Sequence, residues 1–165
     1  MMNFYKMYNG IGLDKFDEYA LSLDKLPNAL AYGLEDFEPI LHIIKKIPRE
    51  SCRYATYIRQ SRWIEAEPVI MKNAYYAYEY AKFVLKGRFI EAEPNIMMHP
   101  GVSFDYAKYV IKGRWYEAEE YIMKSPACTY YYANDIIKGR WPEAEDVIKK
   151  EPSLWEEYIK NFGIE

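Results

Sequence analysis

Hydrophobic positions along this chain recur at two intervals, the three-to-four-residue spacing of a helix face and a longer spacing of 26. Phe37, Trp63, Phe89, Trp115 and Trp141 form one column (63 − 37 = 89 − 63 = 26). Ile44, Ile70, Ile96, Ile122 and Ile148 form a second, and Tyr54, Tyr80, Tyr106, Tyr132 and Tyr158 a third. Pro48, Ala74, Pro100, Pro126 and Pro152 mark one joint in every unit. A fixed period in the range of about 20–50 residues is the signature of stacked repeats.

Within each unit the short-range pattern predicts two helices. In the first, Trp63, Ala66, Ile70 and Met71 share a face while Glu65 and Lys72 lie opposite. Pro68 and Pro94 sit badly in a helix interior, so regular helix should begin near Glu65 or Ala66 after a looser turn. The second helix is expected from about Tyr75 to Lys86, with Ala77, Tyr80, Ala81 and Val84 on one face. Gly87, Gly113 and Gly139 then stand where a helix C-terminus often wants a left-handed residue. Ser61, in place of that glycine, predicts an altered turn in its unit.

Residues 1–34 do not follow this template. Asn9-Gly10 reads as a turn, Leu13, Phe16, Ala20 and Leu23 as a helical stripe, and Pro27 as the start of a short second helix. The expected organisation is an N-terminal arm and capping helices over 1–35, helical-hairpin repeats over 36–151, and a C-terminal capping half-repeat over 152–165. The predicted fold class is all-α, an α-solenoid of stacked two-helix hairpins with a 26-residue period.

The most constant words are Lys86-Gly87-Arg88-Phe89-Ile90-Glu91-Ala92-Glu93, Lys112-Gly113-Arg114-Trp115-Tyr116-Glu117-Ala118-Glu119 and Lys138-Gly139-Arg140-Trp141-Pro142-Glu143-Ala144-Glu145, with a worn copy at residues 60–67. Glu65, Glu91, Glu117 and Glu143 fall on the solvent side. Glu67, Glu93, Glu119 and Glu145 fall inside the apolar stripe, where a carboxylate needs a partner. Arg62, Arg88, Arg114 and Arg140 supply one per unit, in a structural ladder that also contains Trp63, Phe89, Trp115 and Trp141. An acid–base pair of glycosidase type is a poor reading, because the pattern recurs in every unit and catalysis needs one asymmetric site.

Composition narrows the picture. The 165 residues are half hydrophobic and 28% charged, within the globular range. Aromatic content is 18% with 18 tyrosines, whose apolar rings and polar tips suit a repeat surface. A net charge of −3 gives no field that favours nucleic acid or an anionic membrane. Cys52 and Cys128 lack ligand spacing, His42 and His99 are out of register, and no phosphate-loop, dinucleotide or nucleophile motif occurs. No catalytic residue, metal site or cofactor is expected. Without a membrane-length apolar run or a signal-peptide pattern, the expected location is cytoplasmic.

The Lys-Gly-Arg-Trp-x-Glu-Ala-Glu core, with the Ile-Met-Lys joint and Tyr-Ala-Lys-x-Val-Ile after it, resembles tandem repeats of uncharacterised bacteriophage proteins. The resemblance covers about residues 36–151. More loosely, the hairpins are similar to tetratricopeptide and Sel1-like repeats, although 26 residues is short for either. The resemblance implies no activity or catalytic residue. It implies a phage-encoded protein in the cytoplasm of an infected host.

If repeated positions are occupied with stacking, function belongs to the variable ones. Tyr57, Phe83 and Tyr109 form a column at the edge of the second helix, ending in Asp135, and Tyr75, Tyr78, Tyr130 and Tyr131 are expected on or near exposed faces. Tyr57, Phe83, Tyr109, Tyr75, Tyr78 and Tyr131 are therefore the candidate partner-binding residues. The expected function is a non-enzymatic protein-binding module, in the phage reading a modulator or inhibitor of a host or defence protein. The alternatives are a nucleic-acid-binding repeat protein using the Arg and Lys columns, or a structural or assembly component. The glutamates that accompany every cation weigh against nucleic acid. A homodimer through Trp155 and its neighbours is compatible with an imperfect cap.

Overall fold

Among the described residues, the start of each second helix is set by one extended residue. In the computed structural model, which describes residues 41, 42 and 44–164, Ile47, Asn73, His99, Ser125 and Glu151 all have φ between −117° and −125°. Four of the five precede a proline, which forces its neighbour out of helical geometry and costs nothing at the first helical position, where the N–H has no partner in any case. Ala74 breaks the proline column, and there Asn73 caps the helix by accepting from the Tyr76 N–H at 3.1 Å.

Among the described residues there is helix and no strand. The chain divides into two compact units, residues 1–70 and 71–165. The first holds α1 (Pro48–Arg53), continued by a wide π turn at Tyr54–Arg59, and α2 (Glu67–Ile70), preceded by a 3-10 turn at Ile64–Ala66. The second unit holds α3 (Ala74–Tyr80), α4 (Glu93–Met97), α5 (Pro100–Tyr106), α6 (Tyr116–Ile122), α7 (Pro126–Tyr132), α8 (Glu145–Ile148) and α9 (Pro152–Phe162). The pairs α4–α5, α6–α7 and α8–α9 pack as hairpins, while α3, α5, α7 and α9 follow one another side by side. The expected arm and capping helices over 1–35, and Phe37, lie outside the described residues. No helix among those described is long and apolar enough to cross a membrane.

Prolines decide how each first helix begins. With Pro68 or Pro94 one residue into the helix, regular α geometry starts only at Glu67 or Glu93, behind a 3-10 turn. Pro142 gives the same result from the other side, opening a 3-10 turn before α8. The unit with Tyr116 and Glu120 at those positions has no proline, and its α6 runs unbroken from Tyr116 to Ile122. The expected loose first turn is present in the proline-bearing units, and regular helix begins one or two residues later than expected.

One expectation about the helix ends needs correction. Gly87, Gly113 and Gly139 do not hold the left-handed conformation. Gln60, Lys86, Lys112 and Lys138 do, at φ of 51°, 53°, 61° and 56°. The second helices widen into π turns, Ala81–Leu85, Ala107–Ile111 and Ala133–Ile137, so the reversal falls one residue earlier. The N–H groups of Lys112 and Gly113 both reach the Ala107 carbonyl, at 2.8 and 3.2 Å. In the unit with Ser61 the reversal likewise belongs to Gln60, but the π turn before it is longer, six residues over Tyr54–Arg59 instead of five. Packing does not demand glycine at 87, 113 or 139, where an added Cβ would meet nothing closer than 3.9 Å.

In the second unit the core is assembled from small and large residues in alternation. Ala92, Ala118 and Ala144 are fully buried beside Ile96, Ile122 and Ile148, so helices approach closely over each alanine. Buried hydroxyls tie up carbonyls at the ends of first helices, Ser103 donating to Ile96 at 3.0 Å and Thr129 to Ile122 at 3.3 Å. In the first unit Ser51 donates to Ile44 at 2.9 Å.

Candidate functional site

Two polar arrangements emerge, one inside the hairpins and one on their surface. Inside, the arginine and glutamate columns meet within each unit. Arg88 Nε and Nη2 donate to the two Glu93 oxygens at 2.7 and 2.6 Å, and Arg114 donates to both Glu119 oxygens at 2.8 Å each. Arg62 forks onto Glu67 in the same way at 2.7 and 2.9 Å, while Arg140 places both nitrogens on one Glu145 oxygen at 3.0 and 2.8 Å. The carboxylates lie 8–12% exposed and the guanidinium groups 33–54% exposed, so each pair spans the boundary between core and water. The bonds to glutamate hold the Arg88 and Arg114 pKa above the ordinary arginine range. Glu65, Glu91, Glu117 and Glu143 are exposed, as expected.

The tyrosine column completes this arrangement. The Tyr106 hydroxyl donates to Glu93 at 2.9 Å and accepts from the Phe89 N–H at 2.7 Å. Tyr132 donates to Glu119 at 3.2 Å and accepts from the Trp115 N–H at 2.6 Å. Tyr158 donates to Glu145 at 3.4 Å and accepts from the Trp141 N–H at 2.6 Å. Burial, foremost, raises the pKa of all three phenols above the usual tyrosine value. The first two rings also touch the aromatic residue that opens the next unit, Tyr106 on Trp115 at 5.0 Å and Tyr132 on Trp141 at 5.2 Å between centroids. Trp63, Phe89, Trp115 and Trp141 are 1–5% exposed, too buried to offer a stacking platform to a ligand. Glu93, Glu119 and Glu145 are thus committed to a guanidinium and a phenol.

The surface arrangement lies on α3, α5, α7 and α9. Residues three and four apart share a helix face, so Tyr75, Tyr78, Glu79, Lys82 and Phe83 are neighbours, as are Asp105, Lys108 and Tyr109 one helix further on. Tyr75, Phe83, Tyr109 and Tyr131 are 44–52% exposed. Tyr57, in the first unit, is 52% exposed. Tyr78 departs from expectation: it is 4% exposed, with the Lys82 ammonium donating to its hydroxyl at 2.9 Å and the Tyr75 ring beside it at 6.4 Å. Tyr130 is also buried, because its hydroxyl bonds to Glu157 at 2.9 Å and Asn161 donates to it at 3.2 Å.

Successive second helices are joined across this face by a different contact at each step. Lys82 lies 4.2 Å from the Tyr109 ring centre, Lys108 donates to Asp135 at 2.7 Å, and Asn161 donates to Asn134 at 3.3 Å. The Lys108 bond lowers the Asp135 pKa below the usual carboxylate value. Glu79 and Asp105 are half-buried, and neither carboxylate takes a hydrogen bond or ion pair from a described residue. Burial raises both of their pKa values, against an opposing pull from Lys82.

No family model, curated protein or solved structure matches the chain. The site must be read from its own geometry. Among the described residues no three His, Cys, Asp or Glu side chains are grouped as a metal ion would require.

Sequence reasoning missed three things. The tyrosine column serves the glutamates, which the constant separation of 13 residues between Glu93 and Tyr106, and again between Glu119 and Tyr132, could have revealed. Ile64, Ile90 and Tyr116 form a second exposed apolar column, 57–67% open. Lys82 and Lys108 organise the surface of the second helices, a role with no signal in composition.

Proposed function

We propose that the chain is a non-enzymatic α-solenoid of stacked two-helix hairpins with a 26-residue period, and that it binds another protein along the exposed face of its second helices. One observation carries this reading. Tyr75, Phe83, Tyr109 and Tyr131 stay 44–52% exposed at registers whose occupant changes along the chain, while the aromatic residues of the constant columns are buried. Large rings with restricted side chains form contact area at low entropic cost, and so concentrate at binding surfaces. With the resemblance to phage repeats, the partner would be a host or defence protein that the chain modulates or inhibits in the host cytoplasm.

The test is affinity capture from nuclease-treated bacterial lysate, read by mass spectrometry, with the unaltered chain beside a Phe83→Ala/Tyr109→Ala variant. One stoichiometric partner, lost on substitution, supports the reading. Equal recovery with both sinks this face as the docking surface. The nucleic-acid alternative rests on Lys86, Lys112 and Lys138, since each arginine of the column faces its own glutamate. With three phosphate contacts it requires affinity that falls about 40-fold over a fourfold rise in salt.

A further inference from the structure

The second-helix face of residues 71–165 carries a charge imbalance that narrows the kind of partner it fits. Its central groups are Glu79, Lys82, Asp105, Lys108 and Asp135, two cations against three carboxylates, a surplus of one negative charge. Lys108 and Asp135 close on each other at 2.7 Å. Lys82 donates to the Tyr78 hydroxyl and pulls on Glu79 and Asp105 through space, but bonds to neither carboxylate. Glu79 and Asp105 remain, 26 residues apart on adjacent helices, half-buried and with no donor from a described residue. They stand within one helical turn of Tyr75, Phe83 and Tyr109, three of the open rings of this region.

We infer that the occupant of this face is a basic segment of another protein, with an arginine side chain meeting the Glu79 and Asp105 carboxylates and lying against the Phe83 and Tyr109 rings. The inference rests on the protein-binding reading above and adds the chemistry of the partner. A guanidinium suits the position because it offers several donors in one plane to carboxylates and stacks on aromatic faces. Its charge cancels the surplus. An acidic segment would meet two carboxylates without donors, a juxtaposition that selects against it.

The cost of keeping these carboxylates supports the same conclusion. A half-buried carboxylate without a donor is less well solvated than in the unfolded chain, so it opposes folding. The raised pKa values of Glu79 and Asp105 express that cost. One register holds Glu79, Asp105, Tyr131 and Glu157 in successive units, so the stack itself does not require an acid at every one of them. Groups that break a local rule without a compensating contact are where function is expected to lie.

The experiment is selection of a random peptide library, displayed on particles, against the immobilised full chain, with Phe83→Ala/Tyr109→Ala as counter-selection. Enriched peptides are then synthesised and titrated by fluorescence anisotropy against the unaltered chain and Glu79→Gln/Asp105→Asn. The expected result is arginine-bearing peptides whose affinity falls about tenfold or more, as for other close charge pairs, both in the amide variant and when their arginine is replaced by citrulline. The citrulline arm keeps the test decisive should the amide variant unfold. Neutral or acidic peptides that lose binding in the Phe83/Tyr109 variant would overturn the basic partner and leave the docking face standing. Basic peptides indifferent to both charge changes would overturn it too. No enrichment over the counter-selection would remove the docking face itself, and the inference with it.

Discussion

Tyr106 and Tyr109 lie three residues apart on one continuous stretch of helix, yet they belong to different regimes. Tyr106 is fully buried, bonded to a carboxylate and a backbone N–H, and its counterparts Tyr132 and Tyr158 repeat both bonds. Tyr109 is 44% exposed, carries the Lys82 ammonium on its ring, and is replaced by Asp135 in the next unit. The inward side of the second helices repeats its chemistry and the outward side improvises it. Repetition marks what each hairpin must do to fold, because the hairpin cannot bury its faces without a neighbour. Variation marks positions that folding leaves available.

The sharpest way to test this contrast is to remove one oxygen from each side. Tyr106→Phe strips the Phe89 N–H, in a residue 1% exposed, of its acceptor and Glu93 of a donor. It should cost about 1–3 kcal/mol, the penalty of an unsatisfied buried group, seen as a lower midpoint in urea unfolding. Tyr132→Phe should match it. Tyr109→Phe should stay within about 0.5 kcal/mol of the parent, as surface changes do. Comparable losses at Tyr106 and Tyr109 would erase the distinction between the two faces.

Next in size is the guanidinium. Arg114→Ala leaves Glu119, 12% exposed, with only the Tyr132 hydroxyl at 3.2 Å. A third of the arginine is exposed, so solvent screening reduces the loss to about 1–2 kcal/mol. Glu117→Gln, on the solvent side of the same helix, should change the midpoint by no more than about 0.5 kcal/mol.

How much of this was legible in the sequence follows from the range of each interaction. The Arg–Glu pairs were readable because Glu93 and its equivalents fall inside an apolar stripe, which demands a nearby counter-charge five residues away. The loose first turns were readable from Pro68 and Pro94, whose effect is local and covalent. The tyrosine column was visible as a column, but its bonds join groups 13 and 17 residues apart that meet only once the hairpin closes. Tyr78 was placed on the surface because helical spacing puts it at the edge of the apolar face. Lys82 and Tyr75 then cover it, a matter of side-chain reach that periodicity does not encode. The left-handed residue was misplaced by one because glycine is the usual occupant, and the sequence holds no sign that the helix widens before it ends.

That misplacement yields a prediction of its own. A non-glycine residue at φ near +60° costs about 1–2 kcal/mol relative to glycine, partly offset by the extra freedom glycine brings to the unfolded chain. Lys112→Gly should therefore stabilise by about 0.5–1 kcal/mol, read from the urea midpoint. Gly113→Ala, where an added Cβ has open space and φ is not positive, should not destabilise. A loss at Gly113→Ala together with no gain at Lys112→Gly would mean that the reversal sits on the glycine after all.

The smallest effect separates two kinds of carboxylate on the outward face. Asp135 has its pKa lowered, first by the hydrogen bond from Lys108. A lowered folded-state value means that its stabilisation is present above the unfolded value of 3.8 and is lost as pH falls through the folded one. The pair is a quarter to a third exposed, so its worth is about 0.2–1 kcal/mol. The stability difference between the parent and Asp135→Asn should hold steady near neutral pH and shrink below about pH 4. Glu79 and Asp105 run the other way. Burial raises their values, so their cost is absent in acid and complete only above the raised values. Glu79→Gln/Asp105→Asn should therefore gain on the parent as pH rises from about 3 to 6, while Asp135→Asn falls behind it over the same interval. Urea unfolding across that range measures both. Parallel curves would mean that Glu79 and Asp105 already have their donors within the chain, which would remove the reason for a cationic partner to seek them.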